Sequence, residues 1–333
     1  MVCRTRARLT AAATLLLAAA CSAGPSRPAV LRSAPEPARA PAPTVAPAGR
    51  VLALHEGRPE GIVTDPVSGL VVVGLRRPTR LLLLDPATGR VLRTVPVPGY
   101  PRHLELAPGG GAVLVPGEDT DQVVRVALPA GKVTGTVAVL RQPHDIAVTD
   151  DGTMYVADEL GGAVSVVRDG AVVDTLRGLA QPGGAAGTGR TGGVVDVRGR
   201  LLHLYRDGKQ LAALPAGEGP THALALTPGV LVVTDTTGGA LLRYDVSGTP
   251  RLLDRTRLPG QPYGTAYDAV RGLAYFTATA QNLLVQYRVT DKGLVKTRSW
   301  PTVRDAYSVT VVPTTGRVVV AGELESELQL IDP

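Results

Sequence analysis

From residue 51 onward, apolar and polar residues alternate in short runs that are separated by turn residues. Alternation with a period of two is typical of strands with one buried face, and Asp-Gly between two such runs indicates a hairpin. Residues 145–176 show this most clearly, with Asp169-Gly170 between the last two of four runs. The four predicted antiparallel strands are Asp145–Thr149, Thr153–Ala157, Ala163–Val167 and Ala171–Leu176.

The same unit recurs along the chain. Each copy begins with a proline, continues with a small or polar pair and then enters an alternating strand. The prolines are Pro59, Pro101, Pro143, Pro182, Pro220 and Pro262, spaced by 42, 42, 39, 38 and 42 residues. A seventh unit begins at Ala306 without the proline. Periods near 40 residues with several strands per unit predict a β-propeller.

The two ends of the repeat region complete the count of units. The last unit has three predicted strands, Tyr307–Val312, Arg317–Ala321 and Glu327–Ile331, whereas Arg50–His55 forms an orphan strand before the first proline. Pairing the orphan strand with the last unit would close the ring and leave no open sheet edge between the first and last blades. The sequence therefore predicts an all-β, seven-bladed β-propeller over residues 50–333, its last blade closed by the N-terminal strand at about 50–55.

Two stretches resemble a known repeat family. Asp85–Gly110, which reads DPATGRVLRTVPVPGYPRHLELAPGG, and MYVAD at Met154–Asp158 resemble the YVTN-type repeat of the YncE and surface-layer propellers. The resemblance implies the propeller fold. Members of this wider group include extracytoplasmic binding proteins, and related propellers include lactonases and a streptogramin lyase, so the resemblance does not imply one function.

The N-terminus predicts export. A basic start at residues 4–8 precedes an apolar run at 9–20, which ends in small residues directly before Cys21. This layout resembles a bacterial lipoprotein signal, and it predicts a signal peptide at 1–20, lipidation of Cys21 and a membrane-anchored, extracytoplasmic protein. An ordinary cleaved signal followed by an incidental cysteine is the alternative. Residues 21–49, rich in Pro and Ala, predict a disordered, unpacked tether.

Charge and composition narrow the possible partners. Removal of Arg4, Arg6 and Arg8 with the signal lowers the formal charge from +6 to +3, and only 3% of residues are aromatic. No polybasic cluster is present, so nucleic acid is excluded as a partner. Cys3 leaves with the signal, so the mature propeller has no thiol for a disulfide or a metal site. The membrane and an unknown small molecule or envelope protein remain as partners.

The positions after each proline are the candidates for a site. In a propeller, each blade begins at its inner strand, so these residues would surround the mouth of the central channel. The predicted ligand-binding residues are Glu60, Arg102, His103, His144, Asp145, His222, Tyr263 and Tyr307. Convergent Tyr, His and carboxylate side chains are typical of a small-ligand site.

Three hypotheses remain open for these residues. The first and preferred one is noncatalytic recognition of a small molecule, an envelope polymer or a protein at the channel mouth, with no catalytic residue, cofactor or metal predicted. The second is a metal-assisted lyase or hydrolase, in which His103, His144 and His222 ligate Zn²⁺ with Asp145 or Glu105. A wide channel and the separation of blades two and five argue against that metal site. The third is that these side chains only solvate a water-filled channel.

Overall fold

Seven four-stranded antiparallel sheets form a ring in the computed structural model, which describes Met1 and residues 33–333. Blades one to three consist of β2 (Arg58–Thr64), β3 (Val71–Arg76), β4 (Arg80–Leu84), β5 (Val91–Pro96); β6 (Glu105–Leu106), β7 (Ala112–Gly117), β8 (Gln122–Ala127), β9 (Lys132–Ala138); β10 (Pro143–Val148), β11 (Met154–Asp158), β12 (Ala163–Arg168) and β13 (Ala171–Arg177). The all-β, seven-bladed prediction is confirmed.

The remaining blades follow the same pattern of strands. Blades four to seven consist of β14 (Pro182–Thr188), β15 (Thr191–Asp196), β16 (Leu201–Arg206), β17 (Lys209–Pro215); β18 (Pro220–Ala225), β19 (Val230–Asp235), β20 (Ala240–Asp245), β21 (Arg251–Arg257); β22 (Pro262–Asp268), β23 (Leu273–Ala278), β24 (Leu283–Thr290), β25 (Gly293–Pro301); β26 (Ala306–Val311), β27 (Val318–Gly322), β28 (Glu327–Ile331) and β1 (Arg50–Ala53). Two short 3₁₀ turns, Glu159–Gly161 and Thr279–Gln281, are the helical elements of the described residues.

The ring closes between the first and last strands of the chain. β1 pairs antiparallel with β28, with Arg50 opposite Leu330 and Ala53 opposite Glu327, so the predicted closure is confirmed. The buried Gln329 strengthens this junction, because its Nε2 donates to the carbonyl oxygens of Ala48 at 2.7 Å and Pro301 at 2.9 Å. The closing strand is therefore held by backbone pairing and by one buried side chain.

The hydrophobic core lies between the blades. Each pair of neighbouring blades shares one cluster of buried apolar side chains, including the pair formed by blades seven and one. Alternate residues of a strand point to opposite faces of its sheet, so a strand in the middle of a blade contributes to the core on both sides. This explains why β3 and β7 are apolar at nearly every position.

Blade four is rich in glycine because its neighbour comes unusually close. A Cβ on Gly187 would meet the backbone of Val148 in blade three, only 2.5 Å from its carbonyl carbon. A Cβ on Gly192 would meet the ring of Tyr155, 3.0 Å from its Cγ. Tyr155 packs against blade four, and its hydroxyl accepts a hydrogen bond from the Gly208 amide at 3.0 Å. The glycines thus make room for blade three.

The described part of the tether lies against the propeller instead of remaining unpacked. The Ala40 side chain is buried, the amide of Ala40 donates to Asp305 Oδ1 at 2.8 Å, and the amide of Ala48 donates to the Pro301 carbonyl at 3.0 Å. For residues 33–48, the composition-based expectation of an unpacked segment therefore differs from the structure. The predicted signal peptide and Cys21 lie outside the described residues. Within residues 33–333, no helix is long and apolar enough to cross a membrane.

Candidate functional site

The inner strands begin at one face of the ring, and this face carries the predicted site. Glu60, Arg102, Tyr263 and Tyr307 line a cavity of about 370 Å³ there, which we call the upper cavity. His103 also contributes to its wall. Five of the eight predicted residues thus lie where the repeat positions placed them, around the channel mouth.

Two arginines and two glutamates form a closed ionic group, and Glu60, Arg76 and Arg102 of this group line the upper cavity. Arg76 bonds Glu60 and Glu118, each at 2.8 Å, and Arg102 lies 3.4 Å from Glu60 and 3.8 Å from Glu118. Both glutamates are buried. Burial would lower the pKa of Arg76, but the hydrogen bond and charge of Glu60 raise it instead. These guanidinium groups are therefore neutralised by their own chain and do not present free charge to an anionic ligand.

Five aromatic rings form a chain across the channel below this cavity. The ring centroids of His144 and His103 are 4.9 Å apart, those of His103 and His222 4.8 Å, and those of His222 and Tyr263 4.3 Å. Tyr307 continues the chain at 5.5 Å from Tyr263. Since His103 belongs to blade two and His222 to blade five, the chain crosses the channel. The expectation of a channel too wide for these histidines to meet is therefore wrong.

The hydrogen bonds of two histidines define their orientation. His144 Nδ1 lies 3.0 Å from Glu159 Oε2, and His222 Nδ1 lies 3.0 Å from the carbonyl oxygen of Tyr263. Burial lowers the pKa of His222 to about 4 and that of His103 well below its usual value, so both rings are neutral at pH 7. Burial alone would raise the pKa of Glu159, but hydrogen bonding and attraction from His144 hold it at about 2.

Asp145 lies on the other side of the ring chain. Its two carboxylate oxygens accept hydrogen bonds from the amides of Ile146 and Ala185, both at 2.8 Å. It lines a second cavity of about 440 Å³, the lower cavity, together with Glu105. Burial raises the pKa of Asp145 well above its usual range, and that of Glu105 to about 7. The structure thus divides the eight predicted residues between the upper cavity, the ring chain and the lower cavity.

Residues 33–41 lie across the mouth, and the sequence did not predict this. Arg304 Nε donates to the Ala40 carbonyl at 2.8 Å, and the Tyr307 hydroxyl donates to the Ala38 carbonyl at 3.2 Å. Asn282 Nδ2 donates to the Pro41 carbonyl at 3.0 Å, and Arg200 donates to the Ser33 carbonyl at 2.8 Å. Blades four, six and seven therefore hold this segment through its main chain. The prolines predict its extended form, but nothing local predicts where it binds.

Glu36, Pro37 and Arg39 of the same segment line the upper cavity. Burial raises the pKa of Tyr263 to about 12, and burial with the nearby Asp305 raises that of Tyr307, so both phenols remain hydrogen-bond donors at neutral pH. Tyr307 already uses its proton on residues 33–41, so the cavity offers the Tyr263 hydroxyl and a neutralised ionic group to a polar ligand.

Acidic residues at the ends of second strands are structural. Asp235 Oδ1 accepts hydrogen bonds from the amides of Glu218, Gly219 and Gly238 at 2.8–3.0 Å, and Asp158 Oδ2 accepts one from the Ser165 hydroxyl at 2.6 Å. Both aspartates are fully buried. Their carboxylates therefore order loops beside the mouth and do not face a ligand.

The raised pKa of Asp158 should give the protein a measurable pH dependence of stability. Burial raises its pKa from 3.8 to about 7, so between about pH 4 and pH 7 the folded protein keeps a proton that the unfolded chain releases. This group therefore makes the free energy of unfolding fall as the pH rises through that window. The Asp158→Asn side chain stays neutral. From pH 5 to pH 8, the unfolding free energy of this variant, measured with urea, should therefore rise by about 2–3 kcal/mol relative to that of the wild type.

The matched control for this experiment is Asp151→Asn. The Thr149 hydroxyl lowers the pKa of Asp151, so the stabilising effect of its charge is present above pH 4 and is lost only at lower pH. The difference in unfolding free energy between Asp151→Asn and the wild type should remain constant between pH 5 and pH 8. If the difference in unfolding free energy between Asp158→Asn and the wild type is also constant over this range, Asp158 is already ionised in the folded protein at pH 5.

The fold and the blocked channel define the class of protein, a seven-bladed β-propeller with a histidine-lined constriction. No protein-family model and no curated protein sequence matches the chain. Among solved structures it is similar to hydrazine synthase of Kuenenia stuttgartiensis, with 16% identity, a TM-score of 0.71, and coverage of 85% of this chain and 97% of that chain.

Two further structures show the same fold. Virginiamycin B lyase from Staphylococcus aureus aligns with 14% identity and a TM-score of 0.67, over 85% of this chain and 98% of that one. The RRP9 WD40 repeats align with 14% identity and a TM-score of 0.74, over 86% and 99%. These likenesses establish the propeller architecture and carry no assignment of activity.

Proposed function

We propose that this protein is an exported, lipid-anchored propeller that binds an extended polypeptide segment at its mouth without chemically converting it. The observation that carries the proposal is the way residues 33–41 are held there. Of the ligand classes that the sequence leaves open, an extended polypeptide is the one for which the mouth offers matching hydrogen-bond partners.

The contacts favour recognition of a main chain. Tyr307, Arg304 and Asn282 each donate to a different carbonyl of the segment, and Asp305 accepts from one of its amides. Donors spaced along an extended backbone bind it largely independently of side-chain identity. Prolines at the intervening positions reduce the conformational entropy that a flexible ligand would lose. A partner segment of similar composition would therefore fit the same positions.

The charges of the mouth agree with a polypeptide ligand. The four side chains of the closed ionic group compensate each other, and the segment brings one acid, Glu36, and one base, Arg39, to the same cavity. A strongly anionic or cationic ligand would find no net opposite charge there. A segment whose own charges sum to zero needs no such counter-charge.

A peptide titration tests this function. A chain that begins at Pro47 keeps all 28 strands but lacks the segment, so it should bind a synthetic peptide of residues 33–46 in isothermal titration calorimetry. We expect one binding site with a Kd in the micromolar range, which corresponds to about 8 kcal/mol or less. The full chain, whose mouth is occupied, should bind the same peptide at least tenfold more weakly.

Two variants test whether peptide binding depends on the contacts seen at the mouth. Asp305→Ala removes the acceptor of the Ala40 amide and should weaken binding about tenfold, because a buried backbone donor loses its partner. Arg257→Ala, an exposed change on β21, should leave the affinity unchanged. No heat of binding to the chain beginning at Pro47, or equal affinity for Asp305→Ala, would remove the proposal.

The proposed lipid anchor rests on the sequence pattern around Cys21 and is tested separately. Cys21→Ala abolishes the proposed lipid attachment, so we expect the protein to move from the membrane fraction to the soluble extracytoplasmic fraction of the producing cells. Immunoblotting of both fractions measures this, and Ser22→Ala is the matched control that should stay on the membrane. Retention of the Cys21→Ala protein on the membrane would contradict a lipid anchor at this residue.

A further inference from the structure

Three imidazoles from blades two, three and five meet in the centre of the channel. His103, His144 and His222 each offer one ring nitrogen, and these nitrogens all lie within 4.8 Å of one another. We infer that the three histidines form a binding site for a divalent transition-metal ion, with Zn²⁺ as the ion that best suits three imidazoles. This inference concerns the ring chain and does not depend on peptide binding at the mouth.

Hydrogen bonding already presents two of these rings as ligands. Nδ1 of His144 is engaged by Glu159, and Nδ1 of His222 by the Tyr263 carbonyl, which leaves Nε2 of each ring available to an ion. Metal-ligating histidines almost always carry such a second bond to a carboxylate or a backbone carbonyl. Glu159 is itself held by Gln181 at 2.6 Å and Gln142 at 3.2 Å, so the orientation of His144 is supported from behind.

The third ring has an unsatisfied nitrogen. Nε2 of His103 is buried and has no hydrogen-bond partner among the described residues. A buried polar atom without a partner costs about 1–3 kcal/mol, so such an atom in a native core calls for an explanation. An ion bound by His103 together with its two neighbours would satisfy this nitrogen.

The spacing of the rings allows coordination. Zn–N bonds near 2.0–2.1 Å in a tetrahedral site bring nitrogens to about 3.4 Å from each other. The ring nitrogens, which lie within 4.8 Å of one another, must therefore move closer together when the ion binds.

The surroundings contain compensating negative charge. Glu118 and Glu159 each place a carboxylate oxygen within 4.8 Å of a nitrogen of His144. Arg102 opposes a cation, but it is paired with Glu60 and Glu118. Three neutral ligands leave a fourth position of a tetrahedral ion open to water or another small ligand. The absence of cysteine from the described residues favours an imidazole-preferring ion such as Zn²⁺ over Cu⁺.

Metal titration of the full chain tests the inference. Protein made without a histidine tag is stripped with a chelator and titrated with Zn²⁺ against a chromophoric competitor, and with Co²⁺ while the visible spectrum is recorded. We expect one equivalent of Zn²⁺ and the intense visible bands of low-coordinate Co²⁺. His103→Ala and His222→Ala should each weaken Zn²⁺ binding by about 100-fold or more, and Glu159→Gln by about 10-fold.

The exposed His55 provides the matched control. His55→Ala should keep one equivalent and the wild-type affinity. Thermal denaturation without metal verifies that each variant is folded, and added Zn²⁺ should raise the melting temperature of the wild type but not of His103→Ala. Absence of a stoichiometric site in the wild type, or affinity unchanged in both histidine variants, would overturn the inference. The chain beginning at Pro47 should also bind one equivalent of Zn²⁺. A failure of peptide binding would therefore not affect the test of the metal site.

Discussion

A chain that begins at Glu56 is expected to lose the closure of the ring and about 4 kcal/mol or more of unfolding free energy. This chain lacks β1, so the backbone groups of β28 that pair with Arg50–Ala53 lose their partners. The packing of Leu52 and Leu54 on the cluster between blades seven and one is also lost. Each lost hydrogen bond contributes about 1 kcal/mol and the apolar contacts add to that. The expected fall in melting temperature is about 10 °C.

The matched control is the chain that begins at Pro47. It lacks residues 33–46 but keeps β1 and the contacts of Gln329 with Ala48. Its melting temperature should stay within a few degrees of the full chain. Sedimentation velocity should show that only the chain beginning at Glu56 self-associates, because an exposed strand edge pairs readily with another chain. Equal stability and monomeric behaviour of both chains would contradict closure by β1.

Gly187→Ala is expected to have the second large effect, lowering the unfolding free energy by about 2–4 kcal/mol. The new Cβ would overlap the backbone of Val148, and a strand backbone moves only together with its sheet. Blades three and four must then separate, which loosens the buried cluster that they share. Urea unfolding monitored by circular dichroism measures the change.

Gly135→Ala is the control for this experiment. Gly135 lies on the outer strand β9, and its added Cβ would come no closer than 3.9 Å to the side chain of Arg125. The substitution should be neutral or slightly stabilising, since alanine reduces the conformational entropy of the unfolded chain. Equal destabilisation by both substitutions would show that close approach of the blades is not what requires glycine at 187.

The strands of the propeller were predictable because their determinants are local. The four strands predicted for blade three agree with β10–β13 within two residues at every end. A residue's side of a strand follows from alternation alone, and Gly or Asp-Gly marks the turns between strands. Closure followed from counting, because a three-stranded last blade and an orphan first strand had to complete each other.

The candidate site was predictable only as a set of positions. The repeat register placed Tyr263, Tyr307 and the three histidines around the channel, and they are there. Whether side chains from opposite blades meet depends on the channel width and on the length of every side chain in it. His103 and His222 lie on blades that are not neighbours, so their spacing in the sequence does not predict that the two rings are in contact.

By itself, the sequence determined the blade count, the strand boundaries and the residues that face the channel, because these depend on a repeat of about 40 residues and on two-residue alternation. Only the tertiary structure decided that Arg76 and Arg102 are neutralised by glutamates, that residues 33–41 cross the mouth, and that three imidazoles converge. These contacts join elements far apart in the chain. Their free energies depend on distances that are set by the whole ring and are absent from any single repeat.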